Sequence, residues 1–91
     1  MANVEIYTKT FCPYCIRAKA DLDRKGVSYR EIDVTADPLD ELEMVMRCDR
    51  RTVPQIFIDD HHLGGSDDLR AADASGELDQ LLAGSLDPLA A

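Results

Sequence analysis

A short β-forming run, Val4 to Thr8, is followed within a few residues by Cys12-Pro13-Tyr14-Cys15 and then by a helical stretch. That order constrains the fold more than anything else in the chain. Val4-Glu5-Ile6-Tyr7-Thr8 alternates and is rich in residues that suit a pleated strand. Pro13 fits the first turn of a helix, where its missing N–H costs nothing. The helix should reach about Lys25 and stop at Gly26, with Cys15, Ile16, Ala18 and Leu22 as its apolar face. A second strand, Ser28 to Val34, follows, with Ile32 and Val34 on one side. Strand, helix and strand in this order describe a parallel pair joined by a crossover.

Beyond it, Asp37-Pro38 is a strong helix start, Asp as N-cap and Pro at the first helical position. Leu39, Leu42, Val45 and Met46 then mark a helix face. Pro54 to Ile58 reads as a third strand, and His61 to Leu63 returns beside it in a hairpin. Gly64-Gly65 breaks the chain, Ser66 caps a helix running to about Ala74, and Gly76 separates a last short helix bearing Leu78, Leu81 and Leu82. The order is β-α-β-α-β-β-α with a short final helix. It implies an α/β domain, a four-stranded mixed sheet flanked by helices on both faces, consistent with a thioredoxin-like fold. With 91 residues, 45% of them apolar, the chain suits one packed domain, residues 1–84, leaving 85–91 as a flexible tail. No apolar run approaches the roughly 20 residues of a membrane span, and the first residues do not read as a secretory signal, so a cytoplasmic protein without a membrane partner is expected.

The motif carries chemistry. Only a thiolate attacks a disulfide at useful speed. As N-cap, Cys12 faces the unpaired N–H groups of the first helical turn, and Lys9 adds positive charge upstream. Both favour the anionic sulfur. Cys15 lies one turn inside the helix and should be more buried and more fully protonated. Cys12 is thus expected to attack and Cys15 to resolve. The net charge of −8 is uneven: residues 1–26 carry five basic and three acidic groups, whereas residues 52–91 carry one and eight. Bulk acidity argues against nucleic acid, while the positive segment around the thiols can attract an anionic thiol substrate. Paired cysteines can also hold zinc, but a four-ligand site would need Cys48 and His61-His62, which stand alone in the predicted layout. No metal is expected.

Cys12-Pro13-Tyr14-Cys15 resembles the active-site tetrad of the dithiol glutaredoxins. Thr52-Val53-Pro54 is similar to that family's second signature, and Gly64-Gly65-Ser66-Asp67-Asp68 to its third, in the family's order and spacing. The opening Ala2-Asn3-Val4-Glu5-Ile6-Tyr7-Thr8-Lys9 looks like the bacterial glutaredoxin three type. The resemblance spans roughly residues 2–83. It implies a glutathione-dependent thiol–disulfide oxidoreductase acting on protein disulfides and glutathionylated proteins. Glutathione would be its reducing co-substrate, with no tightly bound cofactor and a monomeric chain.

The resemblance also implies roles for particular residues. Pro54 would follow a cis peptide and lie against the active-site disulfide. Val53 would offer its N–H and C=O to the cysteinyl backbone of glutathione. The Ser66 N–H would bind the γ-glutamyl carboxylate and Asp67 the amino group. Lys9, Tyr14 and Thr52 would line the groove, Lys9 near the glycyl carboxylate. The chain departs from the pattern in places. Asp40-Glu41-Leu42-Glu43 stands where many relatives carry Arg, Lys or Gln for the glycyl carboxylate, a task left to Lys9, Arg47 or Arg51. Ser66 replaces a frequent cysteine. Cys48-Asp49 occupies a helix end where a small residue and glycine are usual, and Asp60-His61 a turn where glycine is more typical. Two other readings are a glutaredoxin-like donor reduced by thioredoxin reductase and a glutathione-ligated iron–sulfur carrier. Thr52, Val53 and Asp67 argue against the first, Pro13 and Cys15 against the second.

Overall fold

The computed structural model describes residues 2–83; the expected tail, 85–91, lies outside the described residues. Eight elements follow in order: β1 Val4–Thr8, α1 Pro13–Arg24, β2 Arg30–Asp33, α2 Pro38–Cys48, β3 Gln55–Ile58, β4 His61–Gly64, α3 Ser66–Ser75 and α4 Glu77–Leu82. The sheet order is β2-β1-β3-β4. β1 pairs parallel with β2 and antiparallel with β3, and β3 pairs antiparallel with β4. The four-stranded mixed sheet of the thioredoxin-like fold is therefore present.

Strand alternation divides the core. Val4 and Ile6 of β1, with Ile56 and Ile58 of β3, face Ala18 and Leu22 of α1, Leu69 and Ala72 of α3, and Leu78 and Leu81 of α4. Tyr7 and Phe57, one residue out of phase, point to the other side and meet Ile32, Val34 and Met44. Successive side chains of a strand point to opposite faces, so two central strands serve both cores. The N-cap at Asp37 is as expected, its carboxylate accepting the Leu39 N–H at 2.9 Å. At the far end of α2, Asp49 takes the left-handed conformation at φ 58°, where glycine would be easier. Asp59 and Asp60, at φ 49° and 67°, make the β3–β4 turn in the geometry that a tight hairpin requires.

Several sequence expectations are corrected. β2 is shorter than Ser28–Val34: its register with β1 runs from Arg30 to Asp33, and the Val34 N–H donates to the Thr8 carbonyl at 2.9 Å just past the strand's end. β3 begins at Gln55, since Pro54 has no N–H to donate. The face of α2 is rotated. Leu39, Leu42 and Met46 are exposed, and Met44 is fully buried with Val45 and Cys48 beside it. Val45 belongs to the expected face, but it is Met44 that fills the cluster of Tyr7, Ile32, Val34 and Phe57, and Arg47 docks on the same rings. Its guanidinium lies 3.9 Å from the Phe57 ring centroid and donates to the Tyr7 hydroxyl at 2.9 Å and Glu5 at 3.1 Å. On α1, Ile16 is exposed, because the buried stripe is Cys15, Ala18 and Leu22. Gly65, rather than Ser66, is the N-cap of α3.

The rotated α2 face has a direct consequence for stability. Met44→Ala should cost about 3 kcal/mol, as expected for truncating a buried side chain. Leu42→Ala should change stability by no more than about 0.5 kcal/mol. Urea unfolding under reducing conditions measures both, and similar losses at the two positions would contradict the assignment of faces.

Candidate active site

The site lies where the C-terminal end of β1 releases the chain toward α1. The connecting loop is held from below. The Thr10 hydroxyl donates to Asp33 Oδ2 at 3.0 Å and lies 3.1 Å from the Thr35 hydroxyl. Phe11 then adopts φ 59°, an uncommon conformation for a bulky residue, and is 95% exposed. This turn delivers Cys12 to the N-cap of α1 in an extended conformation, with Pro13 in the first turn. The Cys12 sulfur accepts the Cys15 N–H at 3.3 Å. A side-chain acceptor at this position satisfies an otherwise unpaired helix donor, a part that a thiolate fills better than a thiol.

The two thiols are unequal. Cys12 is half-buried and Cys15 is buried, and neither is bonded to the other. Burial pushes the Cys15 thiol up to about 12, the nearby Cys12 sulfur adding to the effect and the Lys9 backbone opposing it. Cys15 therefore stays protonated at neutral pH. A half-exposed sulfur at a helix start beside a protonated, buried one is an arrangement suited to stepwise disulfide exchange.

The other two motifs converge here. The Val53–Pro54 peptide is cis, and the Val53 carbonyl oxygen lies 4.0 Å from the Cys12 sulfur. Gln55, buried, donates through Nε2 to the Thr52 carbonyl at 3.1 Å and to its hydroxyl at 3.2 Å. Its Oε1 meets His62 Nε2 at 2.7 Å, so β4 braces the Thr52-Val53-Pro54 loop. The start of α3 lies close to the same loop. A Cβ built on Gly65 would lie 3.5 Å from the Pro54 carbonyl oxygen, and one on Gly64, at φ 120°, would collide with Asp68 at 2.3 Å. Asp68 accepts the Gly65 N–H at 2.9 Å and so closes the turn. Ser66 is buried in the first turn of α3 and Asp67 stands exposed beside it.

Arg17 links the elements. Its Nε donates to the Ser66 hydroxyl at 2.7 Å, its Nη2 to Asp67 Oδ1 at 2.6 Å, and its guanidinium lies 5.0 Å from the centre of the Tyr14 ring. Neither Arg17 nor Gln55 was picked out from sequence. Each acts through a contact between distant segments, and no local motif signals it. Lys9 is half-buried at the mouth of the loop. Of the cations named for the glycyl end, Arg47 is committed elsewhere, to Tyr7 and Glu5 on β1 and Asp60 in the β3–β4 turn. Arg51 instead lines a cavity of about 290 Å³ with Pro38, Glu41, Leu42 and Val45. Among the described residues no group of three or more His, Cys, Asp or Glu is placed to hold a metal ion, and no helix is long and apolar enough to cross a membrane.

The Glutaredoxin family model matches residues 4–63. Glutaredoxin 3 of Escherichia coli strain K12 is 60% identical over 82 residues, which cover 90% of this chain and 99% of that protein. The solution structure of a glutaredoxin from Brucella melitensis is 54% identical, with a TM-score of 0.79 over 90% of this chain and 89% of that one. A crystal structure of a buckwheat glutaredoxin–glutathione complex is 28% identical, with a TM-score of 0.84 over 92% of this chain and 79% of that one.

The burial difference makes the thiols distinguishable by alkylation. At pH 8, iodoacetamide should modify Cys12 of the reduced native protein and leave Cys15 intact. Cys15 should become reactive only as pH approaches its raised value or when the protein unfolds. Peptide mapping reads the outcome, and comparable labelling of both at pH 8 would contradict it.

Proposed function

The chain belongs to the glutaredoxin family of thiol–disulfide oxidoreductases, and from that premise we propose that glutathione is its reductant. It would reduce protein disulfides by a dithiol route and glutathione mixed disulfides by a monothiol route. The observation that carries this reading is the asymmetry of Cys12, half-exposed at a helix start, and Cys15, buried and protonated. The buckwheat relative, solved as a glutathione complex, supports the choice of reductant.

In the monothiol route the Cys12 thiolate attacks the glutathione sulfur of a glutathionylated protein. The S–S bond breaks and the protein leaves as a thiolate, which takes up a proton. A glutathione thiolate then attacks the Cys12–glutathione disulfide, forming glutathione disulfide and restoring the Cys12 thiolate. In the dithiol route Cys12 attacks a protein disulfide and one protein sulfur departs. Cys15 then loses its proton and displaces the other, leaving a Cys12–Cys15 disulfide that two glutathiones reduce. The raised Cys15 value fits this sequence. Part of the upward push comes from the Cys12 sulfur beside it. That sulfur carries no charge once it is in a mixed disulfide, so Cys15 becomes more acidic at the step that needs its thiolate.

Glutathione would lie across the three motifs. Val53 would pair with the cysteinyl backbone as a short antiparallel strand, Pro54 would back the reacting sulfurs, and Tyr14 and Thr52 would flank them. The Ser66 N–H and the Asp67 carboxylate would take the γ-glutamyl carboxylate and ammonium, and Lys9 with Arg51 the glycyl carboxylate. No resident cofactor is needed. A dithiol held ready by glutathione suits a reducing compartment, so we place a monomeric protein in the cytoplasm.

The routes separate by mutation. Cys12→Ser should bring both reactions to the uncatalysed rate. Cys15→Ser should keep most of the turnover of a glutathione mixed disulfide and abolish reduction of a protein disulfide. Both are followed by coupling to glutathione reductase; equal losses for Cys15→Ser would refute the division of labour.

A further inference from the structure

Arg17 occupies the γ-glutamyl end of the proposed groove without a part in the scheme above. It touches three groove residues at once: Tyr14, Ser66 and Asp67. Its side chain is 29% exposed, against 90% for Asp67. The stacking on Tyr14 and the bond from Nε to the Ser66 hydroxyl fix the plane of the guanidinium. Nη2 holds Asp67, whose carboxylate stands in solvent.

An arginine and an aspartate paired beside the open N–H groups of a helix start are complementary to an α-amino acid headgroup. A guanidinium matches a carboxylate, and a carboxylate matches an ammonium. We propose that Arg17 is a specificity residue that binds the α-carboxylate of the γ-glutamyl group, and that the headgroup binds by exchange. The ligand's ammonium takes Asp67. The released Nη2, together with the Ser66 N–H, takes the ligand's carboxylate. Two ion pairs then replace one and no charge is left without a partner, while Nε remains on Ser66 and the ring of Tyr14 keeps the guanidinium in place. This rests on glutathione being the ligand of the groove.

The exchange couples the two halves of the headgroup. A ligand without the ammonium leaves the Arg17–Asp67 pair closed over the site. A ligand without the carboxylate must open that pair and leave Arg17 with nothing in return. Arg17→Ala removes the second penalty and retains Asp67 for the ammonium.

The test uses the Cys15→Ser protein, which isolates the single-thiol route, and three mixed disulfides of 2-mercaptoethanol. The first contains glutathione, the second 4-aminobutanoyl-cysteinylglycine, which lacks the α-carboxylate, and the third glutaryl-cysteinylglycine, which lacks the ammonium. With Arg17 present, KM should rise about tenfold for each analogue while kcat is little changed. Arg17→Ala should raise KM for the glutathione disulfide about tenfold, erase discrimination against the 4-aminobutanoyl analogue and keep discrimination against the glutaryl one. Arg17→Lys should restore part of the lost preference. Full discrimination against the 4-aminobutanoyl analogue in Arg17→Ala would overturn the proposal, since the helix N–H alone would then read the carboxylate. So would loss of discrimination against both analogues, which marks a merely structural role. If the protein with Arg17 intact fails to distinguish any of the three, the glutathione reading of the groove falls with it.

Discussion

Everything in this molecule is hung on β1. It is hydrogen-bonded on both edges, parallel to β2 and antiparallel to β3. Its alternating side chains anchor both cores, Val4 and Ile6 on one face and Tyr7 on the other. A strand held on four sides cannot shift register without turning every one of these side chains to the wrong face. Its last residue is buried Thr8, and four residues later the chain reaches Cys12. The position of the reactive sulfur is therefore inherited from the most constrained strand in the protein. Thr10, tied to Asp33 at the end of β2 and to Thr35 just past it, carries that rigidity across the loop.

The second constraint is the difference between neighbouring sulfurs. One helical turn separates Cys12 from Cys15, yet the first sits at the helix mouth and the second faces the core. The helix alone accounts for this. Position 12 caps the first turn, and position 15 begins the stripe that continues through Ala18 and Leu22 into the apolar interior. Burial then sets the protonation of Cys15, and the capping N–H gives the Cys12 sulfur a donor at 3.3 Å. Two identical side chains thus acquire different chemistry from position alone.

Much of this was legible in the sequence because it is local. The Cys12-Pro13 and Asp37-Pro38 helix starts, the alternation in β1 and the glycine break before α3 each depend on a few adjacent residues. What the sequence misplaced depends on docking. Leu39, Leu42, Val45 and Met46 have the spacing of a buried stripe, yet of the four only Val45 packs on the core, beside Met44 and Cys48. Met44 enters the cluster of Tyr7, Ile32, Val34 and Phe57, and Arg47 seats on Phe57 and Tyr7, all segments far from α2 in the chain. The same seating withdraws Arg47 from the proposed glycyl end of the groove. Ser66 looked like a cap, but the Asp68 carboxylate reaches back to the Gly65 N–H and moves the cap by one residue. Arg17 was invisible for the same reason: its meaning arises where α1 meets the first turn of α3.

A net charge of −8 is ill suited to the proposed anionic thiol substrate, yet the arrangement of charges eases the conflict. Acidic groups around the site are already partnered. Asp67 is held by Arg17 at 2.6 Å, Glu31 by Lys19 at 2.9 Å, and Asp68 by the Gly65 N–H with Arg50 at 3.8 Å. Asp73 and Asp79 are bound to Lys25 at the opposite end of α1, about 18 Å from Cys12 along a helix of this length. Charges that far away are largely screened at physiological salt, where the Debye length is about 8 Å. Pairs of this exposed kind add little to stability. Their effect is on the local field: Arg17 and Lys19 offset Asp67 and Glu31, while Asp33 keeps its charge beneath the loop, held by Thr10 and Thr35.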